Sequence, residues 1–152
     1  MLRIALSLFV AFALTLDGVR SDWQFFAPPL VLLVTLYWVL FGPPGCGLGF
    51  AFLVGLLWDL ASGAQAGRHA LAFCVTAHLA QLLEHRVPHF TLVYQALLAG
   101  LLALAYQLIV VAVGLAVEGE SLRLAQFHSV WGVLLLWPPL VLLLGRLHDR
   151  AW

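Results

Sequence analysis

The chain has 152 residues, of which 64% are hydrophobic and 9% charged, and its seven basic and seven acidic side chains cancel to a formal net charge of +0. Soluble domains carry about 25% charged residues, so this composition, with a mean hydropathy of +1.05, excludes a soluble domain and reads as an integral membrane protein. The balanced charge and the lack of a basic stripe exclude nucleic-acid binding.

Long uncharged runs cover Ile4–Leu16, Trp23–Trp58, His69–Leu83, Val87–Val117 and Leu124–Gly145. Runs of this kind do not fit a membrane β-barrel, whose strands alternate apolar and polar residues. Helices are the remaining way to satisfy the backbone in lipid.

At the start, Arg3, the apolar stretch behind it and Ala11-Phe12-Ala13 imitate a signal peptide. Cleavage after Ala13 would leave an h-region of only about seven residues, and the apolar run continues through Leu16. The expectation is an uncleaved first helix over Ile4–Leu16, a turn over Asp17–Asp22 and an interfacial Trp23. Pro28-Pro29 can occupy a first helical turn, where a missing N–H costs nothing, so a second helix is expected from there to Phe41. Gly42-Pro43-Pro44-Gly45 breaks it. The run Trp23–Trp58 is therefore a helical hairpin, with arms of about fifteen residues against the ~20 a full crossing needs.

The stretch from Gly45 to His69 is the most informative. Gly47, Ala51 and Gly55 fall four residues apart on one helical face, the small-residue stripe that lets two membrane helices approach closely. The helix then reaches a carboxylate, Asp59, followed by a polar, glycine-rich turn over Ala61–Gly67 that contains Ser62 and Gly63 and leads into Arg68 and His69. Two readings of Asp59 stand at this point. It is a passive interfacial group, or it is buried and paired, with Arg68 the expected partner in a charge-assisted bond that holds the turn in shape.

A fourth helix is expected over His69–Leu83, carrying Cys74, Thr76 and His78. Glu84-His85-Arg86 and Pro88 follow it. The fifth, Thr91–Val117, has Tyr94, Gln95, Tyr106 and Gln107 as its strongly polar side chains, and Glu118–Arg123 closes it. The sixth, Ser129–Leu147, contains Pro138-Pro139 in its middle, which is expected to kink or interrupt it. Six spans with the N-terminus inside put Arg3, Arg86, Arg146 and Arg150 on the cytoplasmic side and Arg20, Arg68 and Arg123 on the other, a weak positive-inside bias that places both termini in the cytoplasm. Pro-Pro-Leu-Val-Leu-Leu occurs at both Pro28–Leu33 and Pro138–Leu143. It joins helices two and six, not the two and five that a three-plus-three transporter repeat would pair.

Reactive chemistry finds little support. Cys46 and Cys74 lack metal or disulfide spacing and read as packing. His85 and His89 stand four apart as helical zinc ligands would, but Pro88 lies between them and Glu84 is the only nearby third ligand. His78 could relay protons within a span, although a neutral histidine bonded to a neighbouring helix is the commoner case. Gly45-Cys46-Gly47-Leu48-Gly49 lacks the Lys-Ser/Thr of a phosphate loop. There is no nucleophile elbow and no lysine, so neither an enzyme nor a cofactor is expected.

Taken in order, Leu36-Tyr37-Trp38, Gly47-Leu48-Gly49-Phe50, Gly55-Leu56-Leu57-Trp58-Asp59-Leu60-Ala61-Ser62-Gly63 with Gly67, Tyr94-Gln95-Ala96-Leu97 and Leu135-Leu136-Trp137-Pro138 resemble the rod shape-determining membrane protein family MreD of bacteria. The resemblance covers about the whole chain, and its most specific part is the Gly…Trp-Asp-Leu-x-Ser-Gly…Gly segment. It departs at Gly42–Gly45, where relatives often carry basic residues.

That resemblance implies a single all-α domain over residues 1–152, an integral inner-membrane protein of about six transmembrane helices. Its fold is expected to be similar to that of the substrate-binding S components of energy-coupling factor transporters. It further implies a non-enzymatic component of the elongasome that binds the membrane-anchored MreC. MreB filaments, RodA and its class B penicillin-binding transpeptidase are expected as indirect partners, and membrane lipids as the surroundings. On this reading Gly47, Ala51 and Gly55 form a helix-packing or partner interface, while Asp59, Ser62, Gly63, Gly67 and Arg68 shape the turn. The alternative is a vitamin-type S component, for which Thr76, His78, Tyr106 and Gln107 are sparse pocket candidates.

Overall fold

A computed structural model describes residues 2–20, 30–43, 45–63, 67–83, 87, 91–118 and 129–149. The described residues form six α-helices and no strand: α1 Leu2–Arg20, α2 Leu30–Phe41, α3 Leu48–Ser62, α4 Arg68–Leu83, α5 Leu92–Val113 and α6 Ser129–Asp149, with a π-helical turn over Gly114–Glu118 at the end of α5. The all-helical class expected from composition is what the chain adopts.

α2 is the centre of the bundle. Its sequence is apolar all round, which leaves it no face for a polar environment, and all ten residues from Val31 to Leu40 are buried. α1, α4 and α6 pack against it, α3 lies against α4, and α5 bridges α4 and α6. Buried threonine hydroxyls are satisfied by one repeated device. Thr15, Thr35 and Thr76 each donate to the carbonyl four residues back, at 2.6 Å, so each helix absorbs its own polar group. Between helices, Trp38 Nε1 of α2 donates to Ser7 Oγ of α1 at 2.9 Å, and Phe12 of α1 meets Trp58 of α3 edge to face.

Large apolar side chains also stand on the outer surface, with Phe9 71%, Leu60 70%, Trp131 71% and Leu135 77% exposed. Among the described residues, one helix, Leu92–Ala116, is by length and composition long enough to cross a bilayer by itself. Arg3–Thr15, Leu30–Phe41, Leu48–Ser62 and Val130–Gly145 are shorter apolar helices. At 1.5 Å per residue, the twelve residues of α2 reach roughly 18 Å of a ~30 Å hydrocarbon core.

Several boundaries differ from those expected. α1 runs on through Asp17–Arg20, because a single Gly18 costs a helix only ~1 kcal/mol and the charged residues around it are tolerated at a helix end. The turn expected to begin at Ala61 begins at Gly63, and Ala61 and Ser62 complete α3. α6 passes through Pro138 and Pro139 without interruption. Pro138 and Pro139 remove two backbone donors, and α6 continues across them where it packs against α5 and α2. The π-helical turn has no signal in the sequence pattern. Pro28, Pro29, Glu84, His85, Pro88 and His89 lie outside the described residues.

Candidate functional site

The break between α2 and α3 sets the site up. Gly42 ends α2 with its N–H still donating to Trp38 O (3.0 Å), and Cys46 N donates to Pro43 O (2.9 Å) in the turn that follows. α3 then starts with Gly47 as its cap residue and runs antiparallel to α4.

Small residues decide how closely those two helices approach. A Cβ placed on Gly55 would lie 2.6 Å from Ala70 Cα and 3.0 Å from Ala70 N, and one on Gly47 would lie 3.2 Å from Gln81 Nε2. Ala51, between them, is fully buried. The stripe Gly47/Ala51/Gly55 is thus turned inward and packed against α4 of the same chain.

Asp59 continues the same four-residue spacing by one more step, and this brings its carboxylate to the first turn of α4. The residue is 1% exposed. Oδ2 accepts from Gly67 N at 2.8 Å and Ala70 N at 3.3 Å, and Oδ1 accepts from His69 N at 3.0 Å. The His69 Nδ1 lies 2.7 Å from Oδ1. The opening N–H groups of a helix have no intrahelical partner and are ordinarily met by a Ser, Thr, Asp or Asn at the cap position. Here the cap position is Gly67, which has no side chain to offer, and Asp59 supplies the missing acceptor from the preceding helix. A negative charge at that end also suits the helix dipole. Because an ionised carboxylate only accepts, its bond to the ring places the proton on Nδ1 of His69.

Local backbone geometry makes the return possible. Gly63 (φ 68°, ψ 17°) ends α3 in the left-handed region, and Gly67 (φ 104°) precedes α4. Ser62 Oγ donates to Trp58 O at 2.7 Å and closes the last turn of α3. Behind His69, the Tyr106 ring of α5 lies 6.2 Å from the imidazole and 5.4 Å, edge to face, from Phe73, so the clamp backs onto the bundle core.

Of the residues singled out in the sequence, Gly47, Ala51, Gly55, Asp59, Gly63 and Gly67 converge on the α3–α4 contact. Arg68 opens α4, half-buried. The Asp59 carboxylate accepts from the amides of Gly67 and His69, on either side of Arg68, and lies against the His69 ring. His69 is the residue that sequence reasoning missed. Its signal was its place two residues past the glycine, at the start of a helix that follows an acid.

The other candidates do not assemble. His78 is exposed on α4, Thr76 bonds its own helix, and Tyr106 is buried in α5. Cys46 and Cys74 are free thiols, the former buried and the latter partly so. Among the described residues no three His, Cys, Asp or Glu side chains gather as metal ligands do.

Residues 1–147 match the family model described as rod shape-determining protein MreD. The chain is 34% identical to the rod shape-determining protein MreD of Haemophilus influenzae (strain ATCC 51907 / DSM 11121 / KW20 / Rd), an alignment covering 96% of this chain and 91% of that protein. No solved structure matches. A match that takes in the clamp and the helices on both sides of it carries one conclusion: this chain belongs to the MreD family of rod shape-determining proteins.

Proposed function

We propose that the chain is a multi-pass, non-enzymatic component of the bacterial cytoplasmic membrane that docks an MreC-type protein and so helps to organise lateral cell-wall synthesis. Its six helices span the bilayer as one domain, both termini on the cytoplasmic side, in an arrangement similar to that of transporter S components. The apolar outer surface supports lipid exposure. MreB filaments, RodA and the class B penicillin-binding transpeptidase are reached indirectly, through the docked partner.

The observation that carries the molecular part is the Asp59 clamp. A buried carboxylate is committed, through four hydrogen bonds, to fixing α3 to α4. That is the behaviour of a rigid scaffold, in which an interior acid serves shape and not reaction. The family match supports the cellular part.

Recovery of the tagged chain from bacterial membranes tests the reading. An MreC-type protein is expected in the eluate, and Gly55→Leu is expected to reduce its recovery. An ATPase module in its place, with ligand-dependent thermal stabilisation of the chain, would favour the S-component alternative and overturn the proposal.

A further inference from the structure

One polar side chain stands where lipid supplies no partner. Among the described residues, the exposed charged, amide, hydroxyl and imidazole side chains on α-helices are those of Arg3, Ser62, His78 and Tyr94. Arg3, Ser62 and Tyr94 fall in the first or last three residues of their helices. His78 instead lies ten residues from the start of α4 and five from its end, roughly 15 Å and 7.5 Å along the axis. No hydrogen bond from the described residues reaches its ring, whereas His69 and Thr76 of the same helix bond within the chain, to Asp59 and Ala72 O. The charged run Glu84-His85-Arg86 follows α4 in the sequence. On the membrane-embedded reading given above, on which this inference rests, His78 therefore sits inside the hydrocarbon layer, too deep for a short imidazole to reach the headgroups, and a polar group there needs a partner.

The ring belongs to an ordered seam. Leu71, Val75, His78 and Leu82 are all exposed and follow one another at intervals of four, three and four residues, the alternation that keeps two crossed helices in contact along one line. α5 exposes Leu97, Leu101, Leu104 and Leu108 at the same intervals, but lipid tails solvate an all-leucine seam as well as another helix would. The imidazole sets α4 apart.

Its chemistry identifies the occupant. Neutral imidazole carries one N–H donor and one acceptor nitrogen, so the ring hydrogen-bonds to its own copy, which two carboxylates or two guanidinium groups cannot do. Two copies inserted with the same orientation are related by a two-fold axis along the bilayer normal. Their α4 helices then run parallel, and the two His78 rings meet at one depth. A single polar residue in an otherwise apolar seam of this spacing fixes the register and the number of partners.

We propose that α4 is a self-association face, along which a second copy of this chain packs on Leu71, Val75, His78 and Leu82, with the two His78 rings hydrogen-bonded across the two-fold axis.

Cross-linking of the full chain in bacterial membranes provides the test, with the free thiols Cys46 and Cys74 replaced by alanine and one new cysteine in each variant. On oxidation, Val75→Cys and Leu82→Cys are expected to give a disulfide-linked pair of this chain, and Leu101→Cys on α5 is expected to give none. Adding His78→Leu to Val75→Cys should lower the yield about tenfold. His78→Asn, whose side chain also both donates and accepts, should keep most of it. With the chain retained in the membranes after an alkaline wash, any of four results overturns the self-association face alone: no linked pair at either seam position, an equal yield at Leu101→Cys, a yield unchanged by His78→Leu, or a Val75→Cys product joined to a different protein. Release of the chain by the wash overturns both the face and the membrane reading.

Discussion

The carboxylate of Asp59 and the imidazole of His69 are joined at 2.7 Å across the junction of α3 and α4, and the same carboxylate also takes the His69 backbone N–H at 3.0 Å. One residue thus gives Asp59 both a side-chain and a main-chain donor. Two further amides, from Gly67 and Ala70, also donate to it, so the buried charge is met by donors from the first turn of α4 and its cap.

Removal of the acid therefore strips acceptors from several buried amides at once. Asp59→Ala is expected to destabilise the protein by about 3–5 kcal/mol, the usual range for breaking a buried ionic arrangement. Asp59→Asn keeps one carbonyl oxygen but turns an NH2 group toward amide donors, and about 2–4 kcal/mol should be lost. Denaturation in detergent, followed by tryptophan fluorescence, reads both. An Asn variant within about 0.5 kcal/mol of the parent, as for a neutral surface change, would mean the carboxylate is passive.

His69 contributes one of four bonds through its ring, and its amide survives any substitution except proline. His69→Ala should cost about 1.5–3 kcal/mol, the worth of a hydrogen bond to a charged group. In the double variant with Asp59→Ala most of that loss should vanish, since the partner has gone. Full additivity in this cycle would show that the ring stabilises the fold through its packing on Tyr106.

Two glycines separate the effect of backbone contact from that of side-chain contact. A Cβ at Gly55 meets the backbone of Ala70 at 2.6 Å, whereas the nearest atoms to one at Gly100 belong to the Leu134 side chain, Cδ2 at 2.7 Å and Cγ at 3.1 Å. A leucine tip can change rotamer, but a helix backbone must move as a whole. Gly55→Ala is therefore expected to cost on the order of 2–3 kcal/mol by overpacking and to weaken the clamp by pushing away Ala70 N. Gly100→Ala should stay below about 1 kcal/mol, helped by alanine's better helix propensity. Thermal unfolding in detergent ranks the two, and equal losses would contradict the close α3–α4 approach.

How much of this was legible beforehand follows from the kind of signal each feature leaves. Composition gave the helical class, and glycine-proline runs gave the α2–α3 break, because both act locally. The stripe Gly47/Ala51/Gly55 was legible as a packing face, but its occupant, α4 of the same chain, required the tertiary fold. Asp59 was visible as an anomaly. The backbone N–H groups of Gly67, His69 and Ala70 that donate to its carboxylate were not, because every sequence has such groups and none displays them. The start of the α3 turn was misplaced for a related reason. Ala61 and Ser62 sit comfortably in a helix, and only the left-handed glycine at 63 stops it.

The final prediction concerns the two turn glycines, Gly63 and Gly67. At each, no atom of the described residues lies within 4 Å of the place a Cβ would occupy, so substitution acts through the backbone conformation. Gly63 lies at φ 68°, in the left-handed helical well that asparagine tolerates. Gly67 lies at φ 104°, well beyond that well. Gly63→Asn is expected to cost less than about 1 kcal/mol, and Gly63→Ala about 1–2 kcal/mol. At Gly67 both Ala and Asn should cost more, because strain adds to the displacement of an amide that donates to Asp59 at 2.8 Å. Combining Gly67→Ala with Asp59→Ala separates the two contributions. A residual cost of about 1–2 kcal/mol should remain from backbone strain, and the rest should disappear with the acceptor. If the cost of Gly67→Ala is unchanged when Asp59 is absent, the loop is held by its own backbone and the carboxylate plays no part in shaping it.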